Sequence, residues 1–436
     1  MEKLSAHKVP SSGLPPFLLR LWIALLSGSV LLWVSCLAFR HFGYGAPYSS
    51  PFPPKLLEDL TVYIETFKTF HTADFFTFST HSRFAYPAAS AVVYRFFYSF
   101  HRFKAAYAVI SGGWALVGIA AVSRALLRRH VQPVVAVALA ATCCATFPFV
   151  FLFQRGNIEI VLWMLTSIGT LAYVRRQPYA AAILWGMAAA MKIYPIFLLG
   201  VFLGRRRETG PFLTGIASAL LTTLASLWYV GPSVGLAFRG FLGGVQGFQG
   251  AYAEFVRLNE LGFDHSLFSV AKLLAIGTGH SSAAWLHPYY VIAGAVAALV
   301  FLLRVRKLPF ANRLVFLTVA ATLLPPVSYE YTLVQIYVPG ILLLLYALRP
   351  ATLATPDPPS GLSDRSLHSL HWALACIAVL LLPGNLFVLH GRLYAGQVKV
   401  IPLLVLAFLA VRHSWSNDST SDPEHLEQSF AAPRIS

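Results

Sequence analysis

Apolar runs of about 17–25 residues, the length that crosses a bilayer core as a helix, recur along the whole chain. They fall at 16–39, 105–123, 131–152, 158–174, 178–204, 211–230, 287–303, 314–327, 332–348, 369–389 and 397–411, with short polar or basic stretches between them. The pattern predicts an all-α polytopic membrane protein of about 10–12 helices. Two pieces depart from it. Residues 84–100 are apolar but carry Arg95, and 267–278 is short, so each reads as interfacial or re-entrant. The long stretch 40–104 is otherwise aromatic and mixed in charge, and reads as a first outer loop. Gly231 to Ser266 reads as a second outer loop. A Pro/Ser-rich linker is expected over 349–367 and a polar, disordered tail over 412–436, around one transmembrane catalytic domain, 1–411.

The centre of the chain breaks the pattern most sharply. Residues 178–204 lie between Arg175–Arg176 and Arg205–Arg207. A single crossing would put one basic cluster on the wrong side of the membrane. Two half-helices of about 13 and 11 residues, meeting at Lys192–Pro195, keep both on one side. Proline ends or kinks the first half. Broken helices at membrane depth line protein or water-filled cavities. Lys192 sits at that break, and an ammonium at bilayer depth costs at least ~2.5 kcal/mol unless it has a partner, water or a task.

Composition agrees. Of 436 residues, 57% are hydrophobic and 11% charged, against about 25% charged in soluble domains. The net charge of +16 matches positive-inside loops and anionic headgroups. No segment supplies the soluble basic face of a nucleic-acid binder. The four cysteines lie inside apolar runs without metal or redox spacing and read as small hydrophobes. The first apolar run lacks a cleavage site and reads as a retained helix. The basic loops put both termini in the cytoplasm and the clusters EDLTVYIE, FQRGN, LGFDHS and VSYEY on the non-cytoplasmic side; a bacterial inner membrane is the expected location.

Candidate chemistry is confined to those clusters. Only 17 acidic residues exist, and Asp59, Glu159, Asp264 and Glu330 are among those placed outside. Asp59 begins an amphipathic turn. It reads either as a helix N-terminal charge or as a general base. Phe153 to Asn157 is either a turn bent at Gly156 or part of a ligand site, with Arg155 either snorkelling or binding. Lys192 is either salt-bridged to Glu159 for structure alone or faces an anionic ligand. Asp264–His265 is weaker as a pair, and Glu330 is a ligand contact or an interfacial charge. Tyr63 and Trp285 are candidate sugar-stacking rings or interface anchors. No histidine or carboxylate spacing suits a metal.

Taken in order, these residues resemble glycosyltransferase family 87. FQRGN, an apolar span and a basic turn are followed by GMAAAMKIYP. This is similar to the family's GQ-x-N and G-x-A-x-x-x-K-x-x-P elements, through Gln154, Asn157, Gly186, Ala188, Lys192 and Pro195. DLTVYIE with FAYPAASA resembles its first outer loop, LGFDHSLFS its N-x-S-L element and PPVSYEY its P-x-S-W-x-H element. Glu330 and Tyr331 stand where the family often has His, and Arg155 is an added residue. The resemblance implies a glycosyltransferase-C-like helical bundle that moves a hexose, with mannose the expected sugar. The expected donor is a polyprenyl-phosphate-sugar and the acceptor a glycan or glycolipid hydroxyl, with inversion. It implies Asp59 as base, Gln154, Arg155, Asn157, Lys192, Tyr63, His265 and Glu330 as substrate contacts, and no cofactor or metal. The rival from the residues alone is a transporter or flippase of an anionic lipid-linked substrate.

Overall fold

A computed structural model describes residues 15–45, 48, 50, 52, 55–72, 74–75, 84, 86–204, 208–254, 258–348, 364–383, 387–389 and 392–415. Most of the linker expected at 349–367 and of the tail expected at 412–436 lies outside the described residues.

The chain runs α1 (Pro16–His41), α2 (Glu58–Thr61), α3 (Ala88–Tyr98), α4 (Phe103–Leu127), α5 (Pro133–Ala145), α6 (Phe147–Arg155), α7 (Glu159–Val174) and α8 (Pro178–Met191). It continues with α9 (Thr209–Val230), α10 (Val234–Phe248), α11 (Leu258–Leu261), α12 (Leu267–Thr278), α13 (Ala283–Leu303), α14 (Phe310–Leu323), α15 (Tyr337–Ala347), α16 (Asp364–Leu381) and α17 (Ala395–Arg412). Six of its helical segments are long and apolar enough to cross a membrane, or seven if the bent pair α5–α6 counts as one span. Among the described residues the only strands, β1 (Val388–Leu389) and β2 (Arg392–Leu393), form one antiparallel hairpin. The protein is an all-α, multi-pass integral membrane protein.

Burial sorts the helices. Every residue of α14 is buried, Asn312 and Arg313 included, which places this helix at the centre of the bundle. In contrast α1, α4, α9 and α13 expose large apolar side chains such as Val30, Leu116, Trp228 and Ile292. Such faces suit lipid, which supplies no hydrogen bonds and demands none.

The reading of 178–204 holds in outline. Helix α8 starts at Pro178, where a missing N–H costs nothing, and ends before Lys192. The second half, Tyr194–Gly204, is a 3₁₀ helix rather than an α-helix. It returns to the end of the bundle from which α8 began. There Glu208 accepts a hydrogen bond from the Tyr173 hydroxyl at 2.8 Å, two residues from Arg175.

Two expectations are corrected. The run 131–152 is not one straight helix, because α5 and α6 meet at a 46° bend, as a broken span or a re-entrant pair. Pro148 opens α6 without an N–H to give. The Tyr337 hydroxyl covers the break, accepting from Phe149 N at 3.2 Å and pairing with Thr146 Oγ1 at 2.5 Å. The segment 231–266 is not a simple loop, since it contains the 15-residue α10, capped by Ser233, whose hydroxyl accepts from Leu236 N.

Candidate functional site

The site is built where α2, α6, α7 and the break after α8 converge. Helix α6 ends at Gly156, whose φ of +68° closes the helix with a left-handed residue. A Cβ there would lie 3.0 Å from Leu60 Cβ and 3.1 Å from Leu57 Cα, so a glycine lets the outer-loop turn pack directly on FQRGN. Gln154 pins that turn. Its side-chain amide donates to Lys55 O at 3.0 Å, and its carbonyl accepts from Leu57 N at 2.6 Å. Leu57 is itself left-handed, at φ 55°. The backbone contact therefore holds an unfavourable conformation that aims α2 at the site.

Asp59 then falls against the end of α6. Its Oδ1 accepts from Arg155 Nη2, and its Oδ2 accepts from Asn157 Nδ2 at 2.6 Å. Arg155 Nη1 donates to Glu58 Oε2 at 2.8 Å. The other end of the Asn157 amide carries the opposite charge. Asn157 Oδ1 accepts from Lys192 Nζ at 3.1 Å and from Glu159 N at 2.9 Å. One side-chain amide thus bridges the carboxylate from the start of the chain and the cation from its centre.

Lys192 is held from both sides. Glu159 Oε2 lies 2.8 Å from its ammonium, and the Glu159 side chain is fully buried. Glu159 sits in the first turn of α7, where the helix dipole favours an anion. Its Oε1 accepts from Gln335 Nε2 at 2.7 Å and from the Tyr194 hydroxyl. Gln335 Oε1 in turn accepts from Thr166 Oγ1 at 2.7 Å. The Tyr86 and Tyr331 rings flank the ammonium, with centroids 5.4 and 4.9 Å away. Among the described residues no group of three His, Cys, Asp or Glu is placed to hold a metal ion.

The other expected contacts are placed elsewhere. Tyr63 packs edge-on against Phe84 and Tyr94, with centroids 5.0 and 5.5 Å away, and forms the floor under Tyr86. Burial pushes its phenol well up from the ordinary range. His265 and Glu330 are fully buried in a second cluster. In it Asp264 Oδ2 accepts from Lys272 at 2.9 Å, and Glu330 Oε2 accepts from Lys399 at 2.6 Å. His265 Nε2 pairs with Thr332 Oγ1 at 3.1 Å and Ser328 Oγ at 3.2 Å. Burial, reinforced by Lys399, holds the imidazole well below its usual range. The cluster ties 260–266 to 326–332 and to the start of α17. A Cβ at Gly396 would run into the Asp264 carbonyl oxygen. Glu330 belongs to this girder, while its neighbour Tyr331 faces Lys192. Trp285 is exposed on α13 and lines an apolar groove to which Asp59 does not contribute.

Sequence reading missed Tyr86, Tyr331, Gln335 and Thr166 as parts of the site, and Lys272 and Lys399 as buried cations. The two lysines carried the same signal as Lys192, a lone charge inside an apolar run.

The arrangement brings a carboxylate and a cation to the two ends of one side-chain amide, beside the rings of Tyr86 and Tyr331, and suits a substrate that exchanges a proton at one end and gains negative charge at the other. No curated protein and no solved structure matches the chain. The model of glycosyltransferase family 87 matches residues 84–328. That range includes Tyr86, Gln154, Arg155, Asn157, Lys192 and His265; Asp59, Tyr63 and Glu330 lie outside it. With more than half of its length matched, the chain belongs to glycosyltransferase family 87 and is a membrane glycosyltransferase.

Proposed function

We propose that the enzyme moves a hexose, with mannose the first sugar to test, from a polyprenyl-phosphate-sugar to a hydroxyl of a glycan or glycolipid. The reaction takes place on the non-cytoplasmic face of a bacterial inner membrane, with inversion. The observation that supports this most is the Asn157 amide, which hydrogen-bonds Asp59 at one end and Lys192 at the other.

The chemistry follows from charge. A lipid phosphate sugar is a phosphodiester with one negative charge. As the acceptor oxygen attacks the anomeric carbon, the bond from that carbon to the phosphate oxygen breaks. Its electron pair stays on the phosphate, which becomes a monoester with more negative charge. A fixed ammonium beside that oxygen stabilises the transition state more than the ground state. Lys192 has three N–H donors, and Asn157 and Glu159 accept two of them. The third is assigned to the phosphate. Arg155 directs both terminal nitrogens at Glu58 and Asp59, so its task is to orient the base rather than to meet the donor.

Asp59 takes the acceptor proton. Each carboxylate oxygen has two lone pairs, and one hydrogen bond at each still leaves room for the incoming hydroxyl. Tyr86 and Tyr331 supply flat faces for the sugar. The ammonium does the work of charge stabilisation, and no metal is required in this scheme. Family membership does not favour the transporter or flippase reading.

The test uses purified protein in vesicles with radiolabelled polyprenyl-phosphate-mannose, -glucose and -galactose. Release of polyprenyl phosphate with label in an acceptor supports transfer. Movement of intact lipid across the bilayer without cleavage contradicts it.

A further inference from the structure

A second feature lies outside the cluster around Asp59 and Lys192, neither of which lines it. An apolar groove of 840 Å³ runs between α12, α13, α14 and α17. Trp285 and Tyr289 line one end of it, and Val300, Phe408 and Val411 the other. The rise from Trp285 to Val300 along α13 is ~22 Å, deeper than half of the ~30 Å hydrocarbon core. Where the groove ends, a second concavity of 720 Å³ begins, and Phe408 and Val411 line both. Its polar lining is Arg304, Arg365, Ser366, Arg412, His413 and Ser414. Among the described residues no carboxylate lines it and none of its three arginines is in an ion pair.

The basic mouth is held in shape. Arg304 Nε donates to Val411 O at 3.2 Å, which ties the end of α13 to the end of α17. Asn312, fully buried in α14, donates to Ala410 O at 2.8 Å and His413 O at 2.6 Å. It also accepts from Trp415 N at 3.1 Å, and the buried Trp415 indole donates to Ser369 Oγ at 2.8 Å. These bonds fix the segment that carries Arg412 and His413, so little ordering remains to be done when a ligand binds.

We propose that this groove and its mouth form a binding site for an anionic phospholipid. The acyl chains lie along α13 and α17, and the headgroup phosphate sits among Arg304, Arg365 and Arg412. Charge complementarity selects the occupant: three guanidinium groups, unpaired among the described residues, at the mouth of an apolar slot match one phosphate above two hydrocarbon chains. A soluble phosphate would have no use for the groove. On the function proposed above, the glycosyl donor's reacting phosphate is assigned to Lys192, which leaves the arginine mouth to another phosphate. The site does not depend on the identity of the sugar or of the donor.

The test is lipid retention by the full chain. Protein is equilibrated in nanodiscs of equimolar phosphatidylglycerol and phosphatidylcholine, extracted gently, and examined by native mass spectrometry. Wild type is expected to retain phosphatidylglycerol selectively. A cation near an anionic lipid surface is worth about fivefold, so Arg304→Gln with Arg412→Gln should lower that selectivity by about 25-fold. Ala297→Trp, which fills the groove, should expel both lipids and leave sugar transfer intact. Equal retention of the two lipids by wild type overturns the proposal and needs no variant. Undiminished selectivity in the double variant overturns it as well.

Discussion

The sharpest question the structure raises concerns Lys192. Its ammonium lies 2.8 Å from a fully buried Glu159 carboxylate, which by itself would explain why a lysine is tolerated there. A double-mutant design separates that structural pairing from a catalytic task. Lys192→Met keeps the reach of the side chain and removes the charge. It leaves the buried Glu159 with only Gln335 and Tyr194 as side-chain partners. Breaking a buried pair in this way costs about 3–5 kcal/mol. Adding Glu159→Gln removes the stranded charge, and replacing both members of a buried pair is often neutral within ~1 kcal/mol. Thermal unfolding in detergent should therefore show a large loss in the single variant and recovery in the double. Transfer should behave differently. A preorganised group aimed at developing negative charge is worth about 10²–10³ in rate, and neither variant has it. The double variant is expected to be stable and still reduced by that factor at saturating donor. If it regains both stability and wild-type transfer, Lys192 is a structural partner and the mechanism fails.

Three further outcomes follow. Gly156→Ala forces a Cβ to 3.0 Å from Leu60 and a left-handed alanine at φ +68°. It should cost about 1–3 kcal/mol by thermal unfolding and lower transfer by displacing Asp59. Tyr331→Ala removes a ring 4.9 Å from the Lys192 ammonium. It should raise the KM for donor more than it lowers kcat, and a loss confined to kcat would argue against a binding face. Glu330→Gln leaves Lys399 fully buried without a counter-charge. It should destabilise by about 3–5 kcal/mol, with Glu330→Gln/Lys399→Met much milder; equal losses in both would argue against an isolated structural pair.

Much of this was legible in the chain. Basic flanks and a lysine–proline break gave the reversal of the chain after α8, though not the 3₁₀ form of its second half, because charge bias and proline act locally. They gave no hint of hydrogen-bond partners, and so Arg155 was expected at the donor, whereas it faces Glu58 and Asp59. The α5–α6 bend was missed although Pro148 announced it. The run looked continuous in hydrophobicity, and the Tyr337 hydroxyl that covers the break is remote in sequence. Helix α10 was missed because five glycines dilute its helical propensity, leaving tertiary packing to decide. The Glu330–Lys399 pair joins residues 69 apart. Only a view of both apolar runs together would have matched the two charges.

The central claim is that Asp59 removes a proton from the acceptor in the pocket it shares with Lys192. Asp59→Asn keeps the size of the side chain and removes the base. The direct measurement is transfer of label from polyprenyl-phosphate-sugar to acceptor by this variant and by wild type, in protein with matched thermal stability and matched donor binding. A general base is worth about 10²–10⁴-fold, and the variant should lose transfer by that factor while still retaining donor. Transfer at the wild-type rate would remove Asp59 from the reaction.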